Sequence, residues 1–270
     1  MDTDEQEFDL LRSRAADLHR RAIVVDGLAG KVLDPSVSLS GGVTAAILTL
    51  TWRISEDFMF AAKQIASQLD FIDAFKDQVL LVRTADDIMR AKREEKLGLI
   101  LGFQSTTPFG HDRSLATVFH ALGVRIIELT YMEQTPAGSG CLEPHDTGLT
   151  AFGRQLIREM NRLGIILDLS HVGRTTSMDA IAYTEKPCVF SHSNAASLFE
   201  TPRNITDDQI RAVAATNGLV GITPYAPFFC SPGERQPGIT DVIDHVEYVA
   251  GLVGIDHVAL ATDALSLIHI

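Results

Sequence analysis

Two histidines, each closing an apolar run, offer this chain its most direct route to chemistry. His171 follows the run GIILDLS (164–170), and His192 ends PCVFSH (187–192). Serines flank both, Ser170 before the first and Ser191 and Ser193 around the second. Asp263 ends a third such run, HVALATD (257–263). Neutral imidazoles with a carboxylate are a usual donor set for zinc, and an open coordination position would activate a water. Each residue also has a plainer reading. A lone strand-end histidine is more often a hydrogen-bonded structural residue, and Asp263 could cap a helix. Two histidines on neighbouring strands, both beside serines, point more toward a shared site.

Such residues meet only if their strands surround a common axis. Short apolar runs occur at 22–26, 43–52, 97–103, 124–130, 164–170, 187–192, 218–224 and 257–263. Most are continuously hydrophobic, as in parallel strands covered on both faces. Helical patterns fill the intervals at 55–75, 84–95, 112–122, 150–163, 174–183, 206–216 and 239–253. Thr150 ahead of Phe152 and Leu156, and Thr206-Asp207-Asp208 before an apolar run, are helix start signals. Eight strands alternating with helices predict an α/β fold, a (β/α)₈ TIM-type barrel, whose active site lies at the C-terminal strand ends.

Reading those ends in order gives Asp26, Gly27 and Leu28, then Gln104, Tyr131 with Glu133, His171, His192 with Asn194, Tyr225 and Asp263. Glu128 lies inside a strand, facing either the barrel interior or a helix. His19, His111, His120, His145, His245 and His257 fall away from the rim and read as surface residues. KREEK (92–96) reads as a solvated helix face. Residues 5–21 carry Phe8, Leu11, Ala15 and Leu18 at the spacing of an amphipathic helix.

Composition narrows the functional classes. With 46% hydrophobic and 21% charged residues, the 270-residue chain suits a globular barrel-sized domain rather than a disordered one. A net charge of −12 argues against a nucleic-acid partner. Cys141, Cys188 and Cys230 form neither a CxxC pair nor an even disulfide framework, and read as reduced thiols in a cytoplasmic protein. The opening MDTDEQEFDLLRSRAADLHRR is too charged for a secretory signal, and no apolar run is long enough for a membrane span. The barrel domain is expected over 1–264. The last six residues, LSLIHI (265–270), match one reading frame of the transposase adapter used in sequencing libraries. They are read as an artefact, so His269 is left out of the site and the barrel's last helix is expected to be missing.

Two stretches identify a family resemblance. DTGLTAFGRQLIREMNRLGIILDLSHVG (146–173) and PCVFSHSNAASLFETPRNITDDQI (187–210) resemble the membrane (renal) dipeptidases. The shared pattern is a helix ending N-R-L-G, strands ending D-L-S-H and F-S-H-S, and a P-R-N turn. Weaker similarity runs from about residue 22 to 263. The resemblance implies a zinc-dependent barrel hydrolase that cleaves dipeptides or other small amides. It implies that His171 and His192 bind metal, Arg203 holds the substrate carboxylate, and Asp263 transfers a proton.

The family pattern is incomplete in this chain. A histidine after the fourth strand is replaced by Tyr131, which could donate to a developing oxyanion. The family's D-G-H-x-D becomes Asp26-Gly27-Leu28-Ala29-Gly30, which removes both side-chain ligands of one metal. A bridging glutamate becomes Gln104, a weaker neutral donor. The expectation is therefore a mononuclear zinc hydrolase with His171, His192 and Gln104 as metal residues and Asp263, Tyr131 and Arg203 around the substrate. A dipeptide or similar small molecule is the expected partner, and a homodimer is an expected assembly. The competing expectations are a metal-free binder that keeps Arg203, and a metal-free enzyme using Asp263 and Tyr131 as acid and base.

Overall fold

The computed structural model describes residues 2–32 and 34–263. The expected adapter-derived tail and the end of the barrel domain at residue 264 lie outside the described residues. In chain order the elements are α1 (Asp2–Arg21), β1 (Val25–Gly30), α2 (Pro35–Ser40), β2 (Ala45–Thr49), α3 (Phe58–Ala74), β3 (Val79–Leu81) and α4 (Ala85–Glu94). There follow β4 (Leu97–Phe103), α5 (Leu115–Leu122), β5 (Val124–Glu128), α6 (Ala151–Leu163), β6 (Ile166–Asp168) and α7 (Arg174–Tyr183). The last are β7 (Cys188–Phe190), α8 (Asp207–Ala215), β8 (Leu219–Ile222), α9 (Ile239–Val253) and β9 (Val258–Leu260).

The strands pair in parallel in the order β1-β2-β4-β5-β6-β7-β8-β9, with β3 attached to the start of β4. The ring closes where Asp263 N donates to Leu28 O at 2.7 Å. Asp26 reinforces the seam, accepting from Thr262 N at 2.8 Å and from the Thr262 hydroxyl at 2.6 Å. The fold is the expected TIM barrel, with all eight main strands near their sequence-predicted positions. β3 and α2 were not foreseen.

Local chemistry explains the helices. Thr150 caps α6 by accepting from Gly153 N at 3.0 Å, Leu156, Ile157 and Met160 are buried beneath it, and Gly164 ends it at φ 75°. Thr206 and Gln209 form a capping box at the start of α8. Alternation along the strands then creates two apolar clusters. Leu99, Leu101, Phe103, Ile127, Leu129 and Leu167 join the core beneath the helices. Ile100 and Ile126, of the opposite face, pack with Leu80, Val82 and Ala91 of the β3–α4 segment as a floor inside the barrel.

Two local expectations need correction. β1 runs over Val25–Gly30 rather than 22–26, so Leu28 is a buried strand residue and Gly30 reaches the mouth. The small residues Gly27, Ala29 and Gly30 let the strand continue past the Asp26 seam. His245 is buried, not on the surface, because its Nδ1 accepts Ala195 N at 3.0 Å. The helix expected over 5–21 forms as α1, with its apolar stripe exposed at Phe8, Leu11 and Leu18.

Candidate active site

Strand ends deliver the proposed site residues to one cavity. Gln104 follows β4, Tyr131 follows β5, His171 follows β6, His192 follows β7, and Asp263 follows β9. Arg203 comes from the long β7–α8 connection. All six line a single hollow of about 420 Å³ at the barrel mouth, together with Gly30, Thr49, Trp52, Met132, Tyr225 and Phe228. Glu133 does not join them; it is exposed and borders a neighbouring hollow. Asn194 is structural, exchanging hydrogen bonds with the Thr223 backbone at 2.9 and 3.1 Å.

The histidines are buried and face each other, with Nε2 to Nε2 at 2.9 Å. His171 adopts φ 64°, a left-handed conformation uncommon outside glycine, and its carbonyl accepts Cys141 N at 2.7 Å. Its ring stacks on Tyr131 with centroids 4.1 Å apart. His192 Nδ1 meets the Ser191 hydroxyl at 2.7 Å. Burial, reinforced by the Arg203 charge, holds both imidazoles well below their usual protonation range. Both rings are therefore neutral at neutral pH, as metal ligands and proton acceptors must be.

Arg203 is a buried cation fixed by the site itself. Nη1 donates to Ser193 Oγ at 2.9 Å, Nη2 donates to His192 O at 2.8 Å, and the guanidinium sits 5.1 Å from the Phe228 ring centroid. Its Nε–H has no partner among the described residues, leaving donor capacity beside the cavity. Gln104 commits its amide nitrogen to Thr49 Oγ1 at 2.6 Å, so its carbonyl oxygen is the atom it can offer a cation. Burial first, and Glu128 next, push the Tyr131 phenol up to about 12. It remains a proton donor across the physiological range.

The donor set fits one divalent cation better than two. Both Nε2 atoms converge on the cavity, while Leu28 and Gly30 have no side-chain donor to offer. His192 Nδ1 has a second partner to orient it, whereas His171 Nδ1 has none among the described residues.

Sequence reasoning left Glu128 undecided and passed over Asp168. Both lie in the barrel interior, with Glu128 in register with Asp168. The signal was a repeated pattern: Glu128-Leu129-Thr130-Tyr131 on one strand and Asp168-Leu169-Ser170-His171 on the next. Each puts an acid on the interior face three residues before a mouth side chain.

Comparisons agree with this architecture. The membrane dipeptidase model (peptidase family M19) matches residues 13–267. The dipeptidase tcpJ of Claviceps purpurea is 32% identical over 194 residues, covering 71% of this chain and 45% of the relative. An uncharacterised dipeptidase of Schizosaccharomyces pombe is 32% identical over 220 residues, covering 77% and 53%. The chain thus spans about half the length of the curated relatives it matches. An amidohydrolase structure from Pseudomonas aeruginosa superposes with a TM-score of 0.86 at 37% identity, covering 92% of this chain and 76% of that one. With its strand-end histidines, P-R-N arginine and closed parallel barrel, the chain belongs to the membrane dipeptidase family.

Proposed function

We propose that this protein is a cation-dependent hydrolase of small amides with a free carboxylate, dipeptides foremost. The observation that carries it is the convergence of His171, His192, Arg203, Tyr131 and Asp263 on one cavity of about 420 Å³. The size suits a small ligand. His171 and His192 would hold one zinc through Nε2, with the Gln104 carbonyl as a further donor. A cation there supplies Lewis acidity and a water of lowered pKa.

The protein's own residues do the rest. Arg203 pairs with the substrate carboxylate through its planar donors, which fixes the amide over the histidines. Tyr131 keeps its proton and donates to the oxygen that becomes negative as the carbonyl is attacked. Asp263 accepts a proton from the attacking water and passes it to the leaving amine. The three cysteines stand as free thiols, which supports a cytoplasmic location. No helix among the described residues is long and apolar enough to cross a membrane.

The test is an assay of zinc-supplemented protein against unblocked dipeptides and their C-terminal amides. Hydrolysis of the free acids with weak use of the amides is the expected result. Leu28, Gly30 and Gln104, where the family pattern has ligands, favour a second reading, a binder without turnover. Tight dipeptide binding with no product at any zinc level would select it.

A further inference from the structure

Beneath the mouth, the barrel interior carries two carboxyl groups that the proposed reaction does not use. Ile126 belongs to the barrel floor, whereas Ile127 and Leu129 lie under the helices. Glu128, two residues beyond Ile126, therefore faces the interior. Asp168 sits beside it in register on β6, and Glu128, Asp168 and His192 are all buried to 2% exposure or less. Asp168 Oδ1 accepts Ser170 N and Ser191 N, both at 3.0 Å. Glu128 meets no N–H or hydroxyl donor among the described residues, and its own hydrogen-bond partner is the Asp168 carboxylate, reached when Glu128 is protonated. His192 lies close on the other side, its Nδ1 3.9 Å from Glu128 Oε1.

Adjoining carboxyls sealed from water require positive charge between them, as a proton or as a metal cation. One donor atom from each of Glu128, Asp168 and His192 lies within 4.8 Å of the other two. Two carboxylates and an imidazole are donors suited to zinc or manganese. We propose that Glu128, Asp168 and His192 Nδ1 form a second cation position, one layer below the mouth, for a divalent transition metal such as zinc.

Three features favour it. The neutral residues Leu28, Gly30 and Gln104 leave the mouth short of anionic donors, whereas the interior position has two. Tetrahedral zinc sets its donors ~3.3 Å apart, so the gap between Glu128 and His192 closes with a side-chain shift of roughly half an ångström. A ligating histidine also needs an acceptor for its other N–H. His192 Nε2 has one in His171 Nε2 at 2.9 Å, once Nδ1 releases the Ser191 hydroxyl at 2.7 Å.

A neutral imidazole has one lone pair, so His192 serves the mouth or the interior, not both. The two positions compete for one ring. This competition rests on the mouth ligation proposed above; the interior site itself does not.

Zinc chloride titrated into metal-free protein, with bound metal read by elemental analysis, tests both. The wild type, Glu128→Gln and His171→Ala should each retain about one zinc per chain, with water in the opened mouth accepting the His192 Nε2–H in His171→Ala, and the double variant none. A His171→Ala protein that binds none overturns the interior site while leaving the mouth intact. If Glu128→Gln binds none and His171→Ala binds one, the mouth ligation fails and the interior site stands. A double variant that binds like the singles overturns both. Should Glu128→Gln fail to fold, zinc absorption-edge spectroscopy of the wild type decides alone. One imidazole with carboxylate oxygens supports the interior position, and a shell of two imidazoles, which only the mouth can supply, overturns it.

Discussion

Replacing Arg203 with lysine isolates the claim that this residue reads a substrate carboxylate. The guanidinium is held in place by Ser193 Oγ at 2.9 Å and His192 O at 2.8 Å, with Phe228 beneath it. Those bonds orient the remaining N–H groups, so a carboxylate can be met by two donors at once. Lysine keeps the charge but presents one donor per direction and loses the stack on Phe228. A hydrogen bond to a charged group contributes about 1.5–3 kcal/mol, so losing one should lower kcat/KM roughly 10- to 150-fold. Because the carboxylate contact is present before and during reaction, most of the loss should fall on KM. Steady-state assays on a free dipeptide and its C-terminal amide give the contrast. The amide, lacking the carboxylate, should lose less than about threefold. Equal losses on both substrates would show that Arg203 supports the fold of the site rather than recognising substrate, and would refute the assignment.

Further outcomes follow from the same geometry. Tyr131→Phe removes the oxyanion donor and should lower kcat about 10²-fold with little change in KM. Since the phenol titrates only near 12, the pH–kcat profile below pH 9 should keep its shape, and a lost alkaline limb would point to an acid–base role instead. Gly221→Ala would put a Cβ 1.8 Å from Ser191 O on the adjoining strand, so urea unfolding should show a loss of about 3 kcal/mol or more. Gly164→Ala meets nothing within 4 Å and bears only the strain of φ +75°, costing about 1 kcal/mol; similar losses at both positions would contradict the packing described.

The pH dependence of metal-free stability has a definite sign. His171 and His192 titrate well below their ordinary 6.5 when folded, so on acidification the unfolded chain gains protons that the folded chain refuses. Their contribution is complete above that value and falls below it, by up to about 1.4 kcal/mol per pH unit for each ring. Glu128 opposes this, because burial and then Asp168 raise its folded pKa above 4.5, and its contribution is lost as pH rises toward the raised value. Glu128→Gln should therefore steepen the acid limb, by up to about 1.4 kcal/mol per unit, in urea titrations just above pH 4.5. An unchanged slope would contradict the buried carboxyl's protonation.

Much of this architecture is legible in the chain. Continuous apolar strands such as LGLILGF (97–103), ending in polar or aromatic residues, announce both a parallel barrel and its mouth. Gln104, Tyr131, His171, His192 and Asp263 follow directly from those strand ends. Arg203, set within a long connection, was found through the P-R-N resemblance alone. Length hid β3, because a three-residue strand between two helices carries no period of its own. Closure displaced β1, since the Asp26 contacts with Thr262 depend on a residue more than two hundred positions away. Facing decided Glu128: VRIIELT (124–130) is too uniformly apolar to reveal which side its one acid takes. Only the pairing of β5 with β6 places that acid beside Asp168.

Adding zinc back to metal-free protein, while following hydrolysis of an unblocked dipeptide, tests the central claim most directly. Turnover should be absent at the start and rise with added zinc to a plateau as the mouth position fills. Equal turnover without metal, or bound zinc without hydrolysis of any free dipeptide, would contradict a cation-dependent dipeptidase at this barrel mouth.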